Sequence, residues 1–253
     1  MKVRSKRTRD DGGTGMRLDR FISGNSALSR KEVSSSARKG MITVNGQPAT
    51  DPGMHIDPEK DTVCVGGERI NYSRFVYIMM NKPAGLVSST EDRERTVISL
   101  LPEWVAALGV FPCGRLDKDT TGLLVITNDG ATAHNLLSPR HHVPKTYRFS
   151  LALPLSEEQR VRLAEGVDIG DKKPTSPSDI VLDEGMMSGE ITITEGKFHQ
   201  IKRMFAAVSN RVTGLERTRF GSLELDPELE RGEWRYLNEN EIASLRGDAG
   251  TEN

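Results

Sequence analysis

An aspartate between basic residues is the strongest candidate for chemistry in this sequence. Asp117 lies in the segment G-R-L-D-K-D-T-T-G-L-L, which covers residues 114–124. In an extended backbone, Arg115 and Asp117 point to one face and Leu116 to the other, and the neighbouring cations are expected to keep the carboxylate ionised. Such a carboxylate can act as a nucleophile or a base on a sugar or nucleobase ring. A surface salt bridge at the start of a strand is the commoner explanation for an isolated R-x-D pattern.

Three further segments favour chemistry over a surface salt bridge. They are N-K-P-A-G (81–85), K-T-Y (145–147) and E-G-K-F-H-Q-I-K-R-M-F (195–205). The first predicts a rigid turn after a strand, and the second places the phenol of Tyr147 on a strand, where it could stack on a nucleobase. The third leads into an amphipathic helix whose Ile201 and Met204 face the core. Lys202 and Arg203 then lie at the flanks of that helix, free to meet a carboxylate or a phosphate.

The elements that must position these segments form a mainly antiparallel α+β domain over residues 75–246. Apolar runs predict buried strands, and alternation predicts a one-sided strand. These strands cover 75–80, 123–126, 147–151 and 191–194. Asn128-Asp129-Gly130 could close a hairpin, but residues 131–137 fit better as a helix capped by Asn128 or Asp129. A capping box at Ser156 and Gln159 opens another helix, and residues 247–253 are predicted to be a flexible tail.

A small basic module precedes this domain. Residues 1–15 are predicted to be a disordered basic arm, residues 16–70 a module of two helices and a small sheet, and residues 71–74 a linker. A capping box at Ser29 and Glu32 marks the second helix. The basic side chains of this module could track RNA phosphates, although a merely solvated surface fits the composition equally well. They are Arg17, Arg20, Arg30, Lys31, Arg38 and Lys39.

A net charge of −1 over 253 residues does not exclude a nucleic-acid partner, because the charge is unevenly distributed. Residues 1–50 hold 11 Lys and Arg against 4 Asp and Glu, whereas residues 221–253 hold 3 against 9, so a polyanion is expected to meet only part of the surface. No apolar run approaches the length of a membrane span, and the N-terminus lacks the apolar core of a secretory signal. Cys64 and Cys113 lie too far apart for a thiolate zinc site, and a reducing cytoplasm is the expected location.

The motifs as a set resemble a known enzyme family. Residues 16–21, 29–33 and 40–46 resemble the S4 RNA-binding domain. G-R-L-D-x-x-T-x-G-L-L, N-K-P-x-G, K-x-Y and E-G-x-x-x-Q-I-K-R-M, in this order, resemble the pseudouridine synthases of the RsuA-type branch, which carry an N-terminal S4 domain. The resemblance runs from about residue 16 to residue 245. Within the branch, His199 and the upstream S-P-R-H-H segment look like the small-subunit (16S) rRNA enzymes, since large-subunit relatives usually have Arg at the position of His199.

The resemblance implies isomerisation of a uridine in RNA. The N-glycosidic bond breaks, the uracil turns, and a carbon–carbon bond forms from C5. The catalytic aspartate of the family falls on Asp117 and its base-stacking tyrosine on Tyr147. Its basic partner falls on Lys202, where many relatives have Arg, with Arg203 as the fallback. Arg115 is a candidate for a phosphate contact or for filling the gap left by a flipped base. The family uses no metal and no organic cofactor.

Three functions stay open on the sequence alone. The first is a site-specific synthase for 16S rRNA, acting on free rRNA or on a small-subunit assembly intermediate. The second keeps the chemistry but changes the substrate to 23S rRNA. The third is a non-catalytic S4-type RNA-binding assembly factor, although Asp117, Tyr147 and Lys202 together argue against a pure binder. A monomer without membrane association is expected in each case.

Overall fold

The computed structural model describes residues 15–26, 28–70, 72 and 74–250. The chain divides into two compact units between Arg74 and Phe75. The predicted basic arm lies outside the described residues except for Gly15, as do positions 71 and 73 of the predicted linker. No helix among the described residues is long and apolar enough to span a bilayer.

The N-terminal unit packs two helices with short strands around a small core. Its elements are β1 (Met16–Arg17), α1 (Leu18–Asn25), α2 (Arg30–Arg38), β2 (Ile42–Val44), β3 (Gln47–Pro48), β4 (His55–Ile56), β5 (Val63–Val65) and β6 (Glu68–Ile70). Strands β3, β2, β5 and β6 form an antiparallel sheet in that order. The predicted capping box of α2 is present, because Ser29 accepts a hydrogen bond from the Glu32 amide and Glu32 accepts one from the Ser29 amide. Phe21, Ile22 and Val33 lie in the buried core.

The C-terminal unit is built on one large sheet. Its elements are β7 (Tyr77–Lys82), a 3-10 helix (Val97–Leu100), α3 (Glu103–Ala106), β8 (Phe111–Pro112), β9 (Thr121–Thr127), α4 (Gly130–Leu137), β10 (Lys145–Leu151), α5 (Glu157–Glu165), β11 (Asp179–Leu182), β12 (Ser188–Ile193), α6 (Gln200–Ala207), β13 (Val212–Phe220), β14 (Leu223–Glu224), β15 (Trp234–Tyr236) and α7 (Glu239–Asp248). The main strands follow the order β11-β12-β10-β13-β9-β7-β15. The described neighbours pair antiparallel except β13 and β9, which confirms the predicted α+β class.

Both faces of this sheet are covered in its centre. On β9, Leu124 and Ile126 belong to one hydrophobic cluster, whereas Leu123 and Val125 belong to another. Because successive side chains of a strand point to opposite faces, a strand covered on both sides must be apolar at every position. The continuous apolar run at 123–126 follows from this arrangement.

The single parallel contact between described strands is short. Thr121 lies opposite Glu216 and Gly122 opposite Arg217, and these two pairs join β9 to β13. Gly122 has φ +98°, and a Cβ atom built there would lie 2.3 Å from the Arg217 carbonyl oxygen. The close approach of the two strands therefore requires glycine at this position.

Several predicted boundaries need correction. The predicted tail over 247–253 starts too early, because a capping box at Asn238 opens α7, which runs to Asp248, and Ala249 is fully buried; residues 251–253 lie outside the described part. Asp129 accepts hydrogen bonds from the first amides of α4, so the alternative hairpin at 128–130 is wrong. The first strand of the unit runs from Tyr77 to Lys82 rather than over 75–80.

Candidate active site

Asp117 lies in a pocket of the C-terminal unit. The pocket holds about 460 Å³ of space, part of it open to solvent. Its walls come from the segment before β9, from β10 and β12, from the start of α6 and from β13. The lining residues include Arg115, Asp117, Thr120, Tyr147, Ile193, His199, Lys202 and Leu215. The structure thus brings together the aspartate, the tyrosine and the lysine that the sequence singled out.

The Asp117 carboxylate forms an ion pair with Lys202 across the pocket. Lys202 Nζ lies 2.9 Å from Asp117 Oδ2 and 2.5 Å from Asp119 Oδ1. His199 Nε2 lies 3.6 Å from Asp117 Oδ1. The side chains of Asp117 and Lys202 are each 26% exposed. Partial burial strengthens the attraction between the charges over that of a fully solvated pair.

The contact between Lys202 and the acidic side chains shifts the pKa values of Lys202 and Asp119. Burial works to lower the pKa of Lys202, but its hydrogen bonds to Asp119 and Asp117 outweigh burial and raise the pKa above its ordinary value. The hydrogen bond from Lys202 lowers the pKa of Asp119. Lys202 therefore carries a full positive charge at neutral pH and faces two carboxylates.

A second lysine holds the backbone of the Asp117 segment from the protein interior. Lys82 is fully buried at the end of β7. Its Nζ donates to the carbonyl oxygens of Pro83 (3.1 Å), Asp117 (3.1 Å), Lys118 (3.3 Å) and Thr120 (2.9 Å). Burial lowers the pKa of Lys82 to about 8, against the opposing attraction of nearby carboxylates.

Hydrogen bonds from the segment after β7 complete this support. The Leu116 amide donates to Ser88 Oγ (3.1 Å), and that hydroxyl donates back to the Leu116 carbonyl (3.0 Å). The Gly85 amide donates to the Lys118 carbonyl (2.7 Å). The N-K-P-A-G motif therefore holds the loop of Asp117 rather than serving only as a turn. Sequence reasoning missed the role of Lys82, although a lysine at the end of an apolar strand was a usable signal.

Tyr147 forms part of the pocket wall on β10. It is 8% exposed and lies opposite Ile191 on β12 and Arg217 on β13. The strand positions before and after it are paired on both sides, so the ring stands on a rigid central strand. A tyrosine held in this way can offer a flat face to a ligand in the pocket.

The start of α6 presents Lys202 to the pocket. Ile201 and Met204 are buried as predicted. Gln200 is also buried; its Oε1 accepts from the Lys197 amide (2.9 Å), and its Nε2 donates to Glu195 Oε1 (2.7 Å). This network fixes the turn before the helix, so that Lys202 emerges on the pocket side.

Comparison with known proteins decides the family. The model of the RNA pseudouridylate synthase family matches residues 76–207, and the S4 domain model matches residues 16–63. The chain belongs to the RNA pseudouridylate synthase family. The synthase is 45% identical over 234 residues to a Bacillus subtilis (strain 168) protein named an uncharacterised RNA pseudouridine synthase, covering 91% of this chain and 98% of that protein.

Other relatives carry a more specific name. The synthase is 39% identical over 231 residues to the ribosomal small subunit pseudouridine synthase A of Escherichia coli (strain K12), covering 91% of this chain and all of that protein. A crystal structure of a pseudouridylate synthase aligns with a TM-score of 0.65 at 38% identity, covering 91% of this chain and 99% of that one. The predicted pseudouridine synthase activity and S4 domain are thereby confirmed.

Arg203 lies beside Lys202 in the sequence but has different contacts. Its guanidinium pairs with Asp171 (2.7 Å) and donates to the carbonyl oxygens of Phe198 (3.0 Å) and Ile169. Lys202 therefore meets Asp117 in this synthase, and Arg203 braces the turn before α6. Arg115 is exposed and lines the pocket.

The predicted RNA-binding residues of the N-terminal unit lie on its surface. Arg17 pairs with Asp19 at 2.8 Å. The exposed positions are Arg17, Arg20, Arg30, Lys31, Arg38 and Lys39. Among the residues that the structure describes, no group of three or more His, Cys, Asp and Glu side chains could hold a metal ion.

Proposed function

We propose that this synthase isomerises one uridine of 16S rRNA to pseudouridine, with Asp117 as nucleophile or base on a flipped-out uridine. The observation that carries the proposal is the Asp117–Lys202 ion pair in the pocket that Tyr147 also lines. The relatives named ribosomal small subunit pseudouridine synthase A support the choice of 16S rRNA.

In this proposal the pocket receives a single nucleotide removed from its stack. A uridine inside a helix or a stacked loop is out of reach of a carboxylate held below the protein surface, so the nucleotide must turn out of the RNA. Flipping costs a few kcal/mol. Stacking on Tyr147 offsets about 1–3 kcal/mol of that cost, and phosphate contacts from the exposed cations of the S4 unit offset more.

Three charged groups of the pocket have roles in the proposed reaction. Lys202 places a positive charge 2.9 Å from the Asp117 carboxylate, the group that attacks or removes a proton in the proposed reaction. Arg115, at the exposed rim, contacts a phosphate or fills the gap left by the flipped base. The sugar, the base or a ribose proton is the target of Asp117, and all three routes need the same ionised oxygen within reach of the nucleotide.

Asp117→Asn is the direct test of the mechanism. The substitution keeps the shape of the side chain and removes its charge, so pseudouridine formation is expected to fall at least about 1000-fold while RNA binding survives. Asp119→Asn is the matched control. It removes the same charge two residues along the chain, and the Asp119 side chain is 73% exposed. Full activity of Asp117→Asn would overturn the proposed mechanism.

Pseudouridine mapping decides the substrate. Both rRNAs from a strain lacking the protein are compared with rRNA from the same strain carrying the gene. Loss of one site in 16S rRNA, restored by the gene, is expected. Loss of a site in 23S rRNA instead would move the proposal to the large subunit. Rescue of an assembly defect by Asp117→Asn as complete as rescue by the unchanged protein would show that RNA binding alone is the required role.

A further inference from the structure

Phe198 is an exposed aromatic residue between Lys197 and His199, which line the pocket, and the proposed reaction leaves it without a role. It is 74% exposed, the largest exposed fraction among large apolar side chains in the described part of the chain. Placing a phenyl ring in water gives up the free energy that burial would release. An exposed ring next to residues that line the pocket is available to contact a ligand that extends out of it.

The Phe198 ring lies face to face with a side chain of the pocket wall. It stacks on the imidazole of His199 with ring centroids 3.8 Å apart and an angle of 19° between the ring planes. His199 lines the pocket, and its Nε2 is 3.6 Å from Asp117 Oδ1. The two rings, which we call the aromatic platform, therefore lead from the reacting carboxylate to the outer surface.

The backbone beneath the aromatic platform is held in place. Arg203 donates to the Phe198 carbonyl at 3.0 Å, and Gln200 Oε1 accepts from the Lys197 amide at 2.9 Å. His199 has φ +47°, a left-handed conformation that turns the chain sharply before α6. A rigid backbone lets an exposed ring bind without a large loss of conformational entropy.

Resting on the proposed function, we propose that the aromatic platform stacks on the nucleobase next to the target uridine in the RNA strand. When a uridine turns out of its stack, its neighbour loses one stacking partner. The pocket holds the flipped uridine, and an aromatic ring just outside it can replace the lost stacking partner, because every nucleobase offers a π face. Phe198 is then a positioning residue for the strand, and it takes no part in bond making.

Substitution of Phe198 tests the platform in the full-length protein. The substrate is total rRNA from a strain lacking the protein, and the readout is kcat/KM at the pseudouridine that the unchanged protein restores. Phe198→Leu keeps an apolar side chain but removes the π face, and we expect a fall of about 5- to 150-fold, which corresponds to ~1–3 kcal/mol of stacking. Phe198→Trp keeps an aromatic ring and is expected to stay within about threefold of the unchanged protein.

Leu153→Ala is the control for loss of exposed apolar surface. Leu153 is 58% exposed and does not line the pocket, so its replacement is expected to leave kcat/KM unchanged. Equal losses in Phe198→Leu and Phe198→Trp, or no loss in Phe198→Leu, would overturn the platform. These results differ from failure of the proposed function, in which the unchanged protein restores no pseudouridine in 16S rRNA. If the restored site lies in 23S rRNA, the platform can be tested there in the same way. If no site is restored in either rRNA, both proposals are wrong.

A short synthetic RNA that contains the mapped uridine locates the contact. An abasic residue on the side that meets the platform removes the stacking partner from the RNA. We expect Phe198→Leu and that abasic residue to lower kcat/KM to a similar extent, and the combination to fall little further than either alone. The abasic residue is placed in turn on each side of the uridine. If its effect on kcat/KM multiplies with that of Phe198→Leu at both positions, the proposed contact is contradicted.

Discussion

Lys202 meets the Asp117 segment from the pocket, whereas Lys82 meets it from the protein interior. Lys202 is partly exposed and faces two carboxylates, which raise its pKa. Lys82 is fully buried and donates to backbone carbonyl oxygens, and burial lowers its pKa to about 8. The same side chain type is thus used for charge on one side of the segment and for backbone support on the other.

This contrast separates two requirements of the proposed reaction. In that proposal the Asp117 carboxylate needs a nearby positive charge, which a residue facing the pocket can provide. It also needs a fixed position, which a buried donor provides by satisfying several carbonyl oxygens at once. Loss of Lys202 is therefore expected to lower activity in a folded protein, whereas loss of Lys82 is expected to lower stability first.

Among the lysine variants, replacement of Lys202 should have the largest effect on activity. Lys202→Met removes the charge beside Asp117, and we expect kcat to fall about 100- to 1000-fold, the range for loss of one preorganised electrostatic contact. Lys202→Arg keeps the charge and should stay within about tenfold. Single-turnover kinetics on rRNA measure both. An unchanged thermal midpoint in Lys202→Met is part of the prediction, and activity equal to that of the unchanged protein would contradict the role of the ion pair.

Replacement of Lys82 should mainly destabilise the C-terminal unit. Lys82→Met leaves buried carbonyl oxygens without a donor, and we expect a loss of about 2–4 kcal/mol in the free energy of unfolding. Calorimetry of the thermal transition measures this loss. Lys118→Met, which removes an exposed ion pair with Glu94, is the control and should change stability by less than about 1 kcal/mol. Equal stability of the two variants would show that the carbonyl contacts of Lys82 carry little weight.

Lys145 extends the comparison to a buried lysine on the Phe220 side. Its Nζ donates to the Val143 carbonyl (2.7 Å) and lies 5.5 Å from the centroid of the Phe220 ring. Burial, followed by repulsion from Arg217, lowers its pKa from 10.5 to about 8. Above pH 8 the folded state has released this proton, whereas the unfolded state keeps it to about pH 10.5. The unfolded state then binds more protons, so this lysine makes stability rise with pH above about 8.

Lys145→Met should flatten that pH dependence. The difference in thermal midpoint between the unchanged protein and Lys145→Met is expected to be constant below about pH 7.5, where folded and unfolded lysine are both protonated. Between pH 8 and pH 9.5, the thermal midpoint of the unchanged protein should rise relative to that of Lys145→Met. Thermal unfolding followed at several pH values measures the difference, and parallel curves across the range would contradict the lowered pKa.

Asp119→Asn should have only a small effect on activity. Asp119 shares Lys202 with Asp117, but its side chain is 73% exposed, and exposed pairs contribute little. We expect kcat/KM to fall about two- to fivefold, because Lys202 loses one of two fixed contacts but keeps the other. A loss as large as that of Asp117→Asn would mean that activity needs both carboxylates, which would contradict the assignment of the reaction to Asp117 alone.

Local structure was predictable because its causes are local. Capping boxes at Ser29 and Ser156 begin α2 and α5 at the predicted residues, since a cap needs only the side chain three positions away. The amphipathic pattern that includes Ile201 and Met204 likewise predicted α6 and the side of it that is buried. The candidate site was predictable from motif order, and the structure brings its three side chains together in one pocket.

The features that could not be predicted from the sequence depend on contacts between distant parts of the chain. Lys82 bonds to carbonyl oxygens some 35 residues away, and a turn motif carries no sign of that partner. The burial of Ala249 depends on the packing of α7 against the sheet. The exposure of Phe198 is equally invisible in a helical pattern, because a residue just before a helix has no assigned face.

The parallel contact between β9 and β13 has a consequence for the geometry of the pocket. Asp117 precedes β9, and Tyr147 stands on β10, beyond β13; the two pairs of residues at Thr121 and Gly122 are the seam between these halves. A methyl group on Gly122 would lie 2.3 Å from the Arg217 carbonyl oxygen and would push the two strands apart. The lack of a side chain at Gly122 therefore allows the close strand pairing on which the relative positions of the Asp117 carboxylate and the Tyr147 ring depend.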